Sequence, residues 1–176
     1  MGSDKAVLVL DGQRLVDRAV QTLRECCDQV LVASGDGRRL TSLDVEQVAD
    51  AEPGAGPLGG ILAGLERAAH PRVAVVAVDM PEADPGVLRL LAHAWTGEAV
   101  VLPHADGRLQ PLHAVWSRAC ASDLRDLLAR GERSVTTVAR QLGARVVEPG
   151  EWAPVAASPR FARNLNVPGD LGPTPT

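Results

Sequence analysis

Aromatic residues are nearly absent from this chain: one Phe, three Trp and no Tyr among 176 residues. Its core must therefore be built from Val, Leu and Ala, as suits helices packed on a sheet of small and β-branched side chains. A basic excess is also missing. With 18 Lys and Arg against 22 Asp and Glu, the formal charge is −4. That argues against a general nucleic-acid surface, but not against a nucleotide, which needs only a few local cations and backbone N–H groups. Cysteine is scarce: Cys26, Cys27 and Cys120 form no C-x-x-C pair and no metal-ligand spacing, and adjacent Cys26 and Cys27 are poor disulfide partners. Thiols without a framework fit a reducing cytoplasm. No apolar run is long enough to span a bilayer and no signal peptide is visible, so the expectation is a cytoplasmic protein without a membrane partner. Histidines 70, 93, 104 and 113 give no H-x-x-x-H pair. No Ser-His-Asp or Cys-His set can be assembled; His113 reads as a packed strand residue and Cys120 as core.

What the chain does have is small apolar strands ending on carboxylates. Val73-Ala74-Val75-Val76-Ala77-Val78 reads as a strand covered on both faces. It stops at Asp79, and Pro81 prevents further ladder pairing. In open α/β sheets ligands gather beyond the carboxyl ends of the strands. Asp79 is thus placed either to hold a metal or phosphate site or to cap the helix that follows. Apolar residues from Leu15 to Cys27 recur at helical spacing, then short strands follow at 29–34 and 45–49, the second ending at Asp50. The loop Glu52-Pro53-Gly54-Ala55-Gly56-Pro57-Leu58-Gly59-Gly60 precedes a helix from Ile61 to Ala69. It either places backbone N–H groups at a helix start, where an anion or base edge can bind, or is a plain connection. Beyond it come a helix from Asp84-Pro85 to Trp95, strands at 99–103 and 111–116, helices at 118–129 and 134–142, and a strand at 144–147. Residues 148–161 read as irregular. The alternation predicts one α/β domain with a mainly parallel sheet over residues 1–171 and a disordered tail at 172–176.

Taken in order, the motifs resemble the molybdenum cofactor guanylyltransferase family, within the nucleotidyltransferases of Rossmann-like, three-layer α/β/α fold. Met1-Gly2-Ser3-Asp4-Lys5 is similar to the close of the family's N-terminal signature, R-M-G-x-D-K. Asp50 sits where the family ends a strand on Asp. Gly56-Pro57-Leu58-Gly59-Gly60-Ile61 resembles its G-P-L-x-G-[IL] loop, and Val78-Asp79-Met80-Pro81 its C-D-M-P strand end. Gln110-Pro111-Leu112, Gly131-Glu132-Arg133-Ser134 and Asn164-Leu165-Asn166-Val167-Pro168 resemble its [QH]-P-L, G-E-R-[SR] and N-x-N-x-P. The family pattern opens with a strand and an L-A-G-G-x-S-x-R loop that this sequence does not show. The expectation is that this first strand and its phosphate loop precede Met1, placing the true start roughly fifteen residues earlier, about the size of a strand-plus-loop unit.

The resemblance implies transfer of GMP from GTP to the terminal phosphate of molybdopterin cofactor, with Mg²⁺ and release of pyrophosphate. It makes Asp79 the Mg²⁺ ligand and Lys5 a flexible point charge at the phosphates. It places Asp50, Leu58 and Gly59 at the nucleotide, and Asn164 and Asn166 near the metal, its waters or the incoming phosphate. Ala33-Ser34-Gly35 stands where the family often carries Asn, removing one contact. Glu132-Arg133 is either a pterin-side contact or a solvated helix-start pair. Other proteins of cofactor biosynthesis are expected partners. Two alternatives stay open: a sister nucleotidyltransferase using CTP on molybdopterin or another NTP on a sugar or lactyl phosphate, and a loop-deficient, non-catalytic nucleotide-binding module.

Overall fold

Periodic apolar residues produce helices where the sequence predicts them, and the computed structural model describes residues 5–40, 42–52 and 54–165. A hairpin, β1 (Val9–Leu10) and β2 (Gln13–Arg14), turns on Asp11 and Gly12, both at positive φ. Then α1 (Leu15–Arg24) leads to β3 (Leu31–Ala33) and its parallel partner β4 (Glu46–Val48). Next follow α2 (Pro57–Arg67), β5 (Arg72–Val76), α3 (Pro85–Ala94), β6 (Val100–Ala105), β7 (Arg108–Leu109) and β8 (His113–Ser117). The last elements are α4 (Ala121–Ala129), α5 (Val135–Gln141), β9 (Arg145–Val147) and α6 (Pro149–Trp152). The expected tail and Asn166 lie outside the described residues.

The main sheet runs β5-β8-β6-β7, with β9 on β6. Because β8 is antiparallel to both β5 and β6, those two run the same way, and β9 runs with β6. Gln29, ahead of β3, accepts a hydrogen bond from Ala69 N, ahead of β5, at 2.8 Å. At the other end Val32 and Val78 pack on the same small cluster around Ala6. β3, β4, β5, β6 and β9 therefore share one direction, as a mainly parallel sheet requires, with β8 and the short hairpin strand β7 reversed.

Side chains alternate across this sheet and divide the core into two layers. Val100, Leu102, Ala114 and Trp116 face α2, α4 and α5 through Leu58, Leu62, Leu65, Leu124 and Val138. Val101, Ala105, Val115 and Val147 face α3 and α6 through Val87, Leu91 and Trp152, joined by Phe161. Each fully buried Leu or Val contributes about 1.5–3 kcal/mol relative to exposure. The scarce aromatic residues are used here: Phe161 meets the rings of His113 and Trp152 edge-on, with centroids 4.8 and 5.0 Å away.

Two expectations require correction. The Gly/Pro loop ends at Gly56, not at Gly60, since Pro57 occupies the first helical turn, where a missing N–H costs nothing. Leu58, Gly59 and Gly60 are thus helical. Residues 148–161 contain α6, whose start is secured by reciprocal bonds between Glu148 and Glu151.

Candidate active site

After β5 the chain turns, with Met80 N donating to Ala77 O at 3.1 Å, and carries Asp79 to the carboxyl end of the sheet. The Asp79 carboxylate accepts from Lys5 Nζ at 2.8 Å, from a residue 74 positions away. Lys5 opens a short 3-10 turn (Lys5–Val7) fixed by buried Ala6, and its Nζ also donates to Leu165 O at 3.2 Å. Leu165 N in turn donates to Asp79 O at 2.8 Å. Three remote stretches thus converge, at Lys5, at Asp79 and at Leu165. Asn164 lines the same cavity as Asp79, and its Oδ1 is buried without a hydrogen-bond partner.

Asp79 does not cap the following helix. That role belongs to Asp84, whose Oδ1 accepts from Gly86 N at 2.7 Å and Val87 N at 3.1 Å. The other oxygen of Asp84 accepts from Ala157 N at 2.6 Å, while Asp84 N donates to His113 Nε2 at 3.1 Å. His113 is completely buried, as its reading as a packed residue requires, and burial pushes its pKa down to about 4. Since Nε2 accepts, the neutral ring carries its proton on Nδ1, which has no partner. This brace fixes the loop from Asp79 to Asp84 against the segment leading to Asn164.

A cavity of about 1020 Å³ opens beside the Lys5–Asp79 pair. Gly35, Arg39, Asp50, Gly56, Asp79 and Asn164 lie at its polar end. Asp50 is placed there by the end of β4, its N–H donating to Gly35 O at 2.9 Å. Gly56, with φ 62, and Pro57 bring the amino end of α2 to the cavity wall. Gly60 also lines it, and a Cβ there would stand 3.0 Å from Ala33 Cβ. Leu58 and Gly59 are not brought to the cavity: Leu58 is fully buried in the core, and Gly59 faces Glu52 O, 3.0 Å from where its Cβ would lie. Arg39 was not singled out in the sequence, since a lone Arg after a turn carries no motif. Arg133 is exposed at the start of α5, where Glu132 accepts from its N–H at 2.8 Å. It donates to Glu52 at 2.8 Å and to Leu128 O at 2.9 Å, tying the α4–α5 turn to the loop ahead of α2. Cys120 is buried core, and burial raises its thiol pKa to about 11.

The donor set suits a hard cation. Asp79 offers a carboxylate and Asn164 an unpaired buried amide oxygen on one cavity wall. Among the described residues no group of three or more His, Cys, Asp or Glu gathers. A metal that keeps its waters and takes substrate phosphates needs no such group. No described helix is long and apolar enough to cross a membrane.

A carboxylate, a lysine and a glycine-lined helix start at the carboxyl edge of an α/β sheet can receive an anionic ligand such as a nucleotide phosphate. The match to known proteins makes this specific: residues 1–146 fit the model of the MobA-like NTP transferase domain, and the chain belongs to that family. It is 37% identical over 179 residues to a probable molybdenum cofactor guanylyltransferase of Chloroflexus aggregans, covering 97% of this chain and 85% of that one. It is 35% identical over 175 residues to a molybdenum cofactor guanylyltransferase of Cereibacter sphaeroides, covering 97% and 86%. The crystal structure of molybdopterin-guanine dinucleotide biosynthesis protein A from Archaeoglobus fulgidus has the same fold, with TM-score 0.83 at 23% identity over 97% of this chain and 88% of that one. The chain is a nucleotidyltransferase, and enzymes of this family generally use a divalent metal.

Proposed function

We propose that this protein transfers GMP from GTP to the terminal phosphate of molybdopterin. The observation that carries this reading is the meeting of Lys5, Asp79 and the unpaired Asn164 oxygen at one cavity wall. A phosphate oxygen of the acceptor forms a bond to the α-phosphorus of GTP as the bond to the bridging oxygen of the β-phosphate breaks, and pyrophosphate leaves. The protein's part is to align these oxygens and offset their charge. Asp79 and Asn164 would hold Mg²⁺, which would polarise the phosphoryl oxygens. Lys5, paired with Asp79 at 2.8 Å, would be free to meet the phosphates if a cation took its place on the carboxylate. Asp50, Gly56, Pro57 and Gly60, which line the cavity, approach the nucleoside. Leu58 and Gly59 take no part in this, since neither lines the cavity.

The test is incubation with GTP labelled at the α-phosphate and molybdopterin. Label should move to a dinucleotide in step with pyrophosphate release, and only with divalent metal. Transfer from labelled CTP in preference would replace this reading with that of a sister cytidylyltransferase; nucleotide binding without transfer would support the non-catalytic module.

A further inference from the structure

The cavity carries two chemically different ends. Beyond the carboxyl ends of the strands, Asp79 and Asn164 offer oxygen; at the amino end, ahead of β3, Cys26 and Cys27 offer sulfur. The stretch from Gln29 to Ser34 separates the two ends, by roughly 15–20 Å at about 3.3 Å per residue. Neighbouring side chains of an extended chain point to opposite sides, yet these two sulfur atoms lie 3.8 Å apart. The cause is the turn that closes α1. Cys26 N and Cys27 N both donate to Leu23 O, at 3.0 and 2.8 Å, which folds the backbone and lets the two side chains converge. Thr22 O, at 3.7 Å, holds the Cys26 sulfur in that position. Both thiols are free and half-buried, and both line the cavity wall. Arg89 of α3 donates to Glu25 O at 2.6 Å, which sets a guanidinium beside the pair, where it favours the thiolate form that binds metals. Nothing in the transfer reaction uses these thiols.

We propose that Cys26 and Cys27 form a binding site for one thiophilic d¹⁰ cation, of the Cu(I) and Zn(II) class, separate from the Mg²⁺ position at Asp79. Two metal–sulfur bonds of about 2.3 Å at the tetrahedral angle place their sulfurs about 3.8 Å apart, the spacing already present. The pair therefore chelates without rearranging its backbone. Thiolate sulfur selects soft and borderline cations, whereas Mg²⁺ takes oxygen, so the two ends of the cavity sort their metals. As the sulfur–metal bonds form, the protons that the thiols carry pass to water. Among the described residues no group of three or more His, Cys, Asp or Glu gathers there. A structural zinc site takes four protein ligands. This one supplies two and leaves the remaining positions to water or a small thiol, which makes it exchangeable rather than fold-forming. The inference does not depend on the transferase reading.

The test is anaerobic competition of the reduced chain against chromogenic chelators, bicinchoninate for Cu(I) and pyridylazoresorcinol for Zn(II), with Mg²⁺ as the control. One equivalent of Cu(I), of Zn(II), or of either in turn should be withdrawn from its chelator, undisturbed by excess Mg²⁺. Cys26→Ser and Cys27→Ser, which keep the side-chain size, should each weaken that binding at least a hundredfold, as loss of one arm of a two-point attachment does. Cys120→Ser should leave it unchanged. A second readout needs no variant: on the native chain, one equivalent of metal should slow alkylation of Cys26 and Cys27 by iodoacetamide at least tenfold, as located by peptide mass. Withdrawal of one metal but not the other supports the site and assigns its cation. Three results would overturn it: no withdrawal of either metal, binding that survives Cys26→Ser or Cys27→Ser, or alkylation of the pair undiminished by metal.

Discussion

At the level of single residues, Asp79 and Lys5 hold the most informative contact. Their pair joins positions 74 apart, yet Lys5 is about half-exposed. Such a pair is worth only about 0–1 kcal/mol, so it is poorly explained as a fold-stabilising device. Asp79→Ala and Lys5→Ala should each lower GMP transfer by on the order of a hundredfold or more, with thermal unfolding of Asp79→Ala nearly unchanged. Asn164 makes a sharper test. Its buried amide oxygen lacks a partner, and leaving such a group unsatisfied costs about 1–3 kcal/mol. Asn164→Ala should therefore unfold at an equal or higher urea concentration while losing transfer activity, the opposite of what a structural Asn would do.

His113 gives a pH signature. Its pKa falls from 6.5 to about 4 because burial disfavours the charged ring. The unfolded chain then binds the extra proton between those values, so stability is full above pH 6.5 and is lost as pH falls toward 4. The slope approaches 1.4 kcal/mol per pH unit, about 3 kcal/mol in all. His113→Gln, compared with the native chain by urea unfolding from pH 7 to 4, should show this component of the slope removed. An unchanged slope would show that His113 titrates normally.

At the level of elements, the site depends on close approach of α2 to its neighbours. Adding a methyl group at Gly60 would bring it 3.0 Å from Ala33 Cβ on β3. Gly60→Ala should weaken nucleotide binding by shifting α2 against β3, while the helix-propensity gain of about 1 kcal/mol for Ala over Gly offsets the crowding in overall stability. The Arg133–Glu52 pair acts on the same loop from outside, at partial exposure on both sides. Arg133→Ala should cost under about 1 kcal/mol of stability yet raise KM for the nucleotide, with kcat little changed; equal loss of both would place Arg133 in the chemistry.

For the whole molecule, the order of helices and strands was legible in the sequence because apolar periodicity and Gly or Pro punctuation act locally. The α3 start, for instance, is written in Asp84-Pro85. The family motifs also marked Lys5, Asp79 and Asn164 as site residues, and folding brings these three together. Contacts set only by tertiary packing were not legible. Nothing in the local sequence shows that Leu58 points to the core, that Arg133 reaches Glu52, or that Arg39 arrives at the cavity wall. The reversed direction of β8 was equally hidden, since a buried strand reads the same either way.

The central claim is that Asp79 holds a divalent metal through which GTP is bound. Isothermal titration of GTP and CTP with and without Mg²⁺, on the native chain and its Asp79→Ala form, tests it most directly. The account predicts Mg²⁺-dependent binding with GTP preferred over CTP, weakened at least tenfold by Asp79→Ala. GTP binding that is indifferent to both Mg²⁺ and Asp79 would contradict it.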